Sequence, residues 1–307
     1  MLRERPAEAV PALPLAGLIQ LAGSVTLLSS AWPVTKLAVT AGAAPLWFAV
    51  GRAGFSGLTA LVVLGMLGRL RVPGRQDMPA VLAVGLLQLG AFFAFAHAAV
   101  AYVPAGRTAI LSNVTTIWVV PLSLLLLHEA IPLQRWIAAV LGLSGIVVLM
   151  GPWAIDWSAP GVLLGHVFLL AASAGFAVAM VVLRRWPPRS SMLELLPWCF
   201  ALATLVLVPL ALLHGGGVGA WPPQTMGAMA YIGLFAGPVG TWCVMEAAAT
   251  LPAMVSSVGF LATPAVGLIL STIWLAEPLG PDLLAGTGLI MAGILAGAWP
   301  KRRQVSA

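Results

Sequence analysis

Side chains able to do chemistry are sparse here and sit inside apolar sequence. Gln20 and Ser24 are four apart, as are Gln88 and Phe92, with Phe95 three further on. Steps of three or four place residues on one helical face. Asn113, Thr116 and Ile117 fall together just ahead of Trp118 and Pro121. His166, Leu170, Ser173 and Ala177 form another stripe, and Pro238, Trp242 and Glu246 follow at four-residue steps. Ser256, Ser257 and Phe260 lead into Pro264. These types offer hydrogen bonds and aromatic faces rather than bond-breaking groups. There is no HExxH, no pair of carboxylates within an apolar stretch and no Gly-rich phosphate loop, and no His/Asp/Glu cluster spaced for a metal. An enzyme is therefore disfavoured and no cofactor is expected. The chemistry left is reversible binding of a small amphipathic solute, with Phe92, Phe95, Trp118, Trp242 and Phe260 against its apolar part. Gln20, Gln88, Asn113 and Ser256 would meet its polar ends.

Each of these residues also has a plainer reading. Ser24, Ser173, Ser256 and Ser257 suit close helix packing. Phe92, Phe95 and Phe260 could face lipid or core. Isolated histidines such as His97 and His166 are read first as satisfied by an interhelical hydrogen bond. Arg52 lies about eight residues into an apolar span, where an unpaired charge is costly. It reads either as one half of a structural ion pair or carbonyl cap, or as a carboxylate-binding or gating charge. Glu246 either reaches the headgroup region or meets a substrate amine or a proton. Pro33, Pro121, Pro238 and Pro264 each remove a backbone hydrogen bond and favour a kink. Pro238, flanked by Gly237 and Gly240, is the foremost candidate for a bend.

The elements that must hold these residues follow from composition. Of 307 residues, 61% are hydrophobic and 8% charged, against about 25% charged in soluble domains. Ten spans, roughly 14–38, 44–68, 79–101, 105–127, 132–151, 160–183, 192–213, 225–249, 252–275 and 282–299, are each long enough to cross about 30 Å of hydrocarbon. In lipid they must be helices, which satisfy their own backbone groups. The first span lacks the cleavage pattern of a signal peptide and is read as retained. Cys199 and Cys243 lie within spans and imply no disulfide framework.

Two features organise the spans. Residues 103–150 return at 251–298, an offset of 148 with ten of 48 positions identical. Pro104-Ala105 falls on Pro252-Ala253, Glu129 on Glu277 and Gly145-Ile146 on Gly293-Ile294. A fixed-period repeat decides architecture. It implies two five-helix halves, 1–151 and 152–307. Second, with ten alternating helices, 12 of the 15 basic residues fall at one end. Lys36, a candidate gating residue, lies at the other end, and Arg52 and Arg107 lie within spans. The excess of Lys and Arg on the cytoplasmic side then places both termini there, in the cell inner (plasma) membrane. Basic residues spread between spans do not form a nucleic-acid surface. Five helices per half is odd, so the halves insert upside down relative to each other. Inverted repeats characterise transporters with one central site.

The chain resembles the drug/metabolite transporter superfamily, EamA type. The residues carrying the likeness are SSAWPVTKLAV in the first span, the Arg of PLWFAVGRAG, and FAFAHAAVAYVPAGRTAILSNVTTIWVVPLSLLLLHEAI. In the second half they are YIGLFAGPVGTWCVMEAAATLPAMVSSVGFLATPAVGLILSTIWLAEPLG and GTGLIMAGILAGAW. Within the superfamily it looks most like aromatic-amino-acid exporters of the YddG-like branch. The resemblance implies ten helices, a cavity lined by helices 1, 3, 4, 6, 8 and 9, and export of aromatic or neutral amino acids by alternating access. It implies a monomer in lipid, with protons as candidate coupling ions. Other substrates of the superfamily (drugs, nucleobases, sugars) are the alternative, together with a channel, which would show more polar stripes. One departure is plain: the family's Glu-Arg after helices 4 and 9 reads Glu129-Ala130 and Glu277-Pro278.

Overall fold

The computed structural model describes residues 14–127, 133–151, 153, 155–214, 217–251 and 253–298. These are helical throughout, apart from turns and one isolated bridge between Ala43 and Gly219. In order the elements are α1 (Leu15–Thr40), α2 (Pro45–Met66), α3 (Met78–Leu82), a π-helical stretch (Ala83–Ala91), α4 (Phe92–Val100), α5 (Ala105–Leu111), α6 (Thr115–Leu127) and α7 (Leu133–Leu149). Then follow α8 (Val162–Arg185), α9 (Met192–Leu213), α10 (Pro223–Met229), a second π-helical stretch (Ala230–Ala236), α11 (Gly237–Thr250), α12 (Ala253–Phe260), α13 (Ala262–Leu275) and α14 (Pro281–Ala298). Six helical runs are long and apolar enough to cross a membrane, and shorter apolar helices accompany them. The chain is a multi-pass membrane protein.

Four expected spans are less regular than the sequence suggests, and the irregularities come in pairs. The third contains the π stretch 83–91 and the eighth the π stretch 230–236. The fourth breaks between α5 and α6, and the ninth at Leu261 between α12 and α13. In the eighth, Pro238 explains the lost register, since it has no N–H to donate. The third has no proline there. In the first stretch, and directly after the second, a glycine sits against the carbonyl five residues before it: a Cβ on Gly90 would lie 2.9 Å from the Gly85 oxygen, and one on Gly237 2.9 Å from that of Ile232.

Packing repeats the same pairing. α2 packs on α9 and α7 on α14; α1 packs on α11 and α13, while α8 packs on α4 and α6. At the α7–α14 seam a Cβ on Gly145 would stand 2.7 Å from the Gly286 oxygen, and one on Gly293 2.7 Å from the Ala138 oxygen. These two contacts are related by the 148-residue offset, and the register (145 with 286, 138 with 293) runs antiparallel. Small residues let the two backbones approach, as membrane helices require in the absence of a hydrophobic drive.

The two ends differ in chemistry. At one, Arg69, Arg71, Arg75, Arg184, Arg185 and Arg189 gather around the loops 67–77 and 186–191. There the buried Asp77 carboxylate accepts N–H groups from Gly74, Arg189 and Ser190 and the Ser190 hydroxyl at 2.9–3.0 Å. The backbone donor of Ser190 leads the set that holds its carboxyl down to about 2. Trp198 donates to the Arg71 carbonyl at 2.8 Å, and Ser191 and Glu194 form a capping box on α9.

Candidate functional site

At the end opposite the arginines, polar contacts tie five elements together. α13 stops at Ala276, a non-glycine residue in the left-handed region at φ 52°. That turn sends Glu277 back onto the start of α5. Its carboxylate accepts the Ala105 N–H at 2.7 Å and the Gly106 N–H at 2.8 Å. Free N–H groups and the positive dipole end of a helix favour such an anion. One residue on, Arg107 pairs with Asp282 of α14 at 3.0 Å. From α1, Lys36 donates to the carbonyls of Val100 at 2.6 Å and Val103 at 3.2 Å, capping the exit of α4. This seal uses one expected gating residue, Lys36. Glu277 entered as a repeat match and as part of the altered Glu-Arg pattern, and neither Arg107 nor Asp282 was assigned a role. The cross-pairing of a carboxylate after α13 with the start of α5 carries no local signal. Glu129, its repeat partner, lies outside the described residues.

A cleft of about 370 Å³ lies between α2, α9 and α11 towards the arginine-rich end, and a groove of about 530 Å³ lies between the end of α1 and α10 at the other. Thr59, Val63, Phe200, Pro238 and Trp242 are among the walls of the cleft, with Arg69 at the rim. Trp242 is 44% exposed, a cost an indole accepts beside a solute path or at a membrane interface.

The remaining expected site residues are distributed as follows. Gln20 and Gln88 are half-buried, each with a side-chain oxygen that is buried and without a partner. Asn113 sits in the α5–α6 break and donates to the Ala109 carbonyl at 2.7 Å. No described hydrogen bond joins these three. Phe92 contacts Trp32 and Phe176 edge-on, with centroids 6.1 and 5.6 Å away, and Phe95 meets Phe168 at 5.6 Å. Trp118 donates to the Ser173 hydroxyl at 2.9 Å, tying α6 to α8. Ser24 and Ser173 are buried and bond back to the carbonyls of Leu21 and Leu170. Ser256 is buried, Phe260 closes α12, and Glu246 is half-buried on α11. Pro33 and Pro264 are buried within α1 and α13, whereas Pro121 is exposed on α6. The histidines correct the expectation of interhelical bonds. His97 and His166 each use Nδ1 on a carbonyl of their own helix, Phe93 at 2.8 Å and Val162 at 2.7 Å, and Nε2 is buried without a partner in both.

Compared with known proteins, the chain matches the model of the EamA-like transporter family over residues 15–151 and 163–296. It is 24% identical over 276 residues to a probable terminal-alkyne amino-acid exporter of Streptantibioticus cattleyicolor, covering 89% of this chain and 90% of that one. It is 26% identical over 271 residues to the uncharacterized transporter YvbV of Bacillus subtilis, covering 86% and 85%. An uncharacterized transporter of Archaeoglobus fulgidus is 26% identical over 222 residues, covering 71% and 77%. A solved crystal structure, 18% identical, shares the fold with a TM-score of 0.65 over 96% of this chain and 100% of that chain.

Proposed function

We propose that this chain, which belongs to the EamA-like transporter family, is a ten-helix secondary transporter of small amphipathic metabolites, foremost aromatic and neutral amino acids, working by alternating access. Its halves, 1–151 and 152–307, are inverted repeats around a shared path, both termini are cytoplasmic, and the direction is export. The observation that carries the reading is a polar lock across one end and a cleft beside α2, α9 and α11 towards the other. Polar contacts tie the elements together at the Lys36–Glu277 end, while the cleft reaches Arg69 at the other. The mirrored helix breaks and π stretches support it, since discontinuous helices at matching places in two halves mark transporter sites. The amino-acid exporter among the relatives supports the substrate class.

In this reading a solute enters from the arginine-rich side past Trp242. Its ring or aliphatic chain lies against aromatic walls such as Phe92 and Phe95, and its polar ends meet Gln20, Gln88 and Asn113. Closure over the solute breaks the Glu277 cap and frees the other end. Glu246 is the candidate group for a substrate amine or a coupled proton.

The test is uptake into proteoliposomes with a panel of labelled amino acids and other metabolites, with and without a pH gradient. The expected result is saturable uptake of at least one aromatic or neutral amino acid. Trp242→Ala should raise its KM about tenfold, or ~1.4 kcal/mol, by removing an aromatic wall. Planar-bilayer conductance without saturation would instead establish a channel.

A further inference from the structure

Among the described residues, Arg52 is a buried cation that no carboxylate balances. It lies about a third of the way along α2, at its eighth residue, and is only 9% exposed. A guanidinium at that depth neither snorkels to an interface nor ordinarily gives up its charge. Its central carbon lies 4.4 Å from the centroid of the Phe93 ring. That contact is favourable but supplies no negative charge. Nη1 is buried without a hydrogen-bond partner. The ion pairs among the described residues are Arg71–Glu194 and Arg107–Asp282, so no carboxylate meets Arg52. His97, stacked edge-on against Phe93 at 5.5 Å, is no counter-ion either. The expected structural ion pair or carbonyl cap is therefore absent from the described residues.

A buried charge is kept where something compensates it. Among the described residues none supplies that compensation, and a bound anion would. We propose that Arg52 binds the carboxylate of the transported solute, as a forked donor over the Phe93 face. The proposal rests on the amino-acid reading above and deepens it. The path is short. The cleft at the arginine-rich end borders α2 at Thr59, about 10 Å beyond Arg52 along the helix at 1.5 Å per residue. Phe200, a wall of that cleft, belongs to the same apolar cluster as Phe93. A planar, bidentate donor set matches a carboxylate better than a point charge does.

The experiment uses the full chain in lipid nanodiscs. The probes are L-phenylalanine and L-leucine, set against L-phenylalaninamide and L-leucinamide, which keep the side chain and ammonium but lack the carboxylate. The wild-type chain should be stabilised against thermal unfolding saturably by an acid, with at least tenfold weaker binding of its amide. Without solute, R52M and R52Q should melt at or above the wild-type temperature, because an uncompensated charge has been removed. Both should bind acid and amide alike, and R52K should bind the acid about tenfold more weakly. A wild-type chain that does not prefer acids, a lower solute-free melting temperature in both R52M and R52Q, or an undiminished preference for the acid in either would overturn the assignment. Saturable uptake that survives unchanged in R52Q would leave the transporter reading standing while removing Arg52 from it. Absence of uptake of any amino acid by the wild-type chain would remove the transporter's substrate class instead.

Discussion

Gly293→Leu is expected to abolish a stably folded protein, and Gly145→Leu to do the same to a similar degree. A Cβ at Gly293 would stand 2.7 Å from the Ala138 oxygen and 3.1 Å from the Gly142 nitrogen; one at Gly145 meets the Gly286 oxygen at 2.7 Å. These neighbours are backbone, so no side-chain rotation relieves the clash and α7 and α14 must part. Overpacking typically costs ~1–3 kcal/mol, and a leucine at a backbone-to-backbone contact belongs at or above the top of that range. The two effects should match because the two glycines occupy equivalent places across one seam. Gly288, on the same helix, has nothing within 4 Å of an added Cβ. Gly288→Leu should therefore retain a monodisperse elution profile in detergent and a wild-type melting temperature. Tolerance of leucine at Gly293 would show that the α7–α14 seam is looser than described.

Glu277→Ala should slow transport by at least tenfold while leaving the chain folded. The carboxylate satisfies two N–H groups at the start of α5, and hydrogen bonds to a charged group are worth ~1.5–3 kcal/mol each. If the cap exists only when this end is closed, losing ~2 kcal/mol of preference for that state shifts the two-state balance about thirtyfold. A carrier that cannot close one side stalls. Glu277→Gln keeps one acceptor but turns an amide N–H toward the second donor, so it should fall between alanine and wild type. The measurement is initial uptake rate in proteoliposomes at matched protein content. A wild-type rate in Glu277→Ala would mean that the cap does not change during the cycle.

The all-helical membrane fold was legible because a few physical constraints act on it strongly. Apolar length gives the helices, and the 148-residue offset already aligned Gly145 with Gly293, which the structure places at one seam. Pro238 announced an irregular eighth span. The matching π stretch at 83–91 has no proline to announce it and depends on how Gly85 and Gly90 sit against neighbouring backbone. Among site residues, Lys36 stood out as a cation at the wrong end, and it caps α4. Asn113 and Trp118 were recognisable as polar groups in an apolar span, but not their partners, Ala109 and Ser173. The seal was hidden for another reason. Glu277 acts on Ala105 and Gly106, 172 and 171 residues away, and only the folded arrangement brings a loop carboxylate to that helix start.

The central claim is that the two ends open in turn. It is tested most directly by single cysteines in a Cys199→Ala, Cys243→Ala background. Thr59→Cys would report on the cleft wall, and Thr108→Cys, buried and hydrogen-bonded to Pro104 at 2.9 Å, on the space just inside the Glu277 cap. Both would be labelled with an impermeant maleimide in vesicles of known orientation. The account predicts that, without solute, Thr59→Cys reacts only from the arginine-rich side and Thr108→Cys is protected. A transported amino acid should slow the first reaction and open the second from the opposite side. Reaction of both positions at once in the same state, or solute-independent labelling of either, would contradict it.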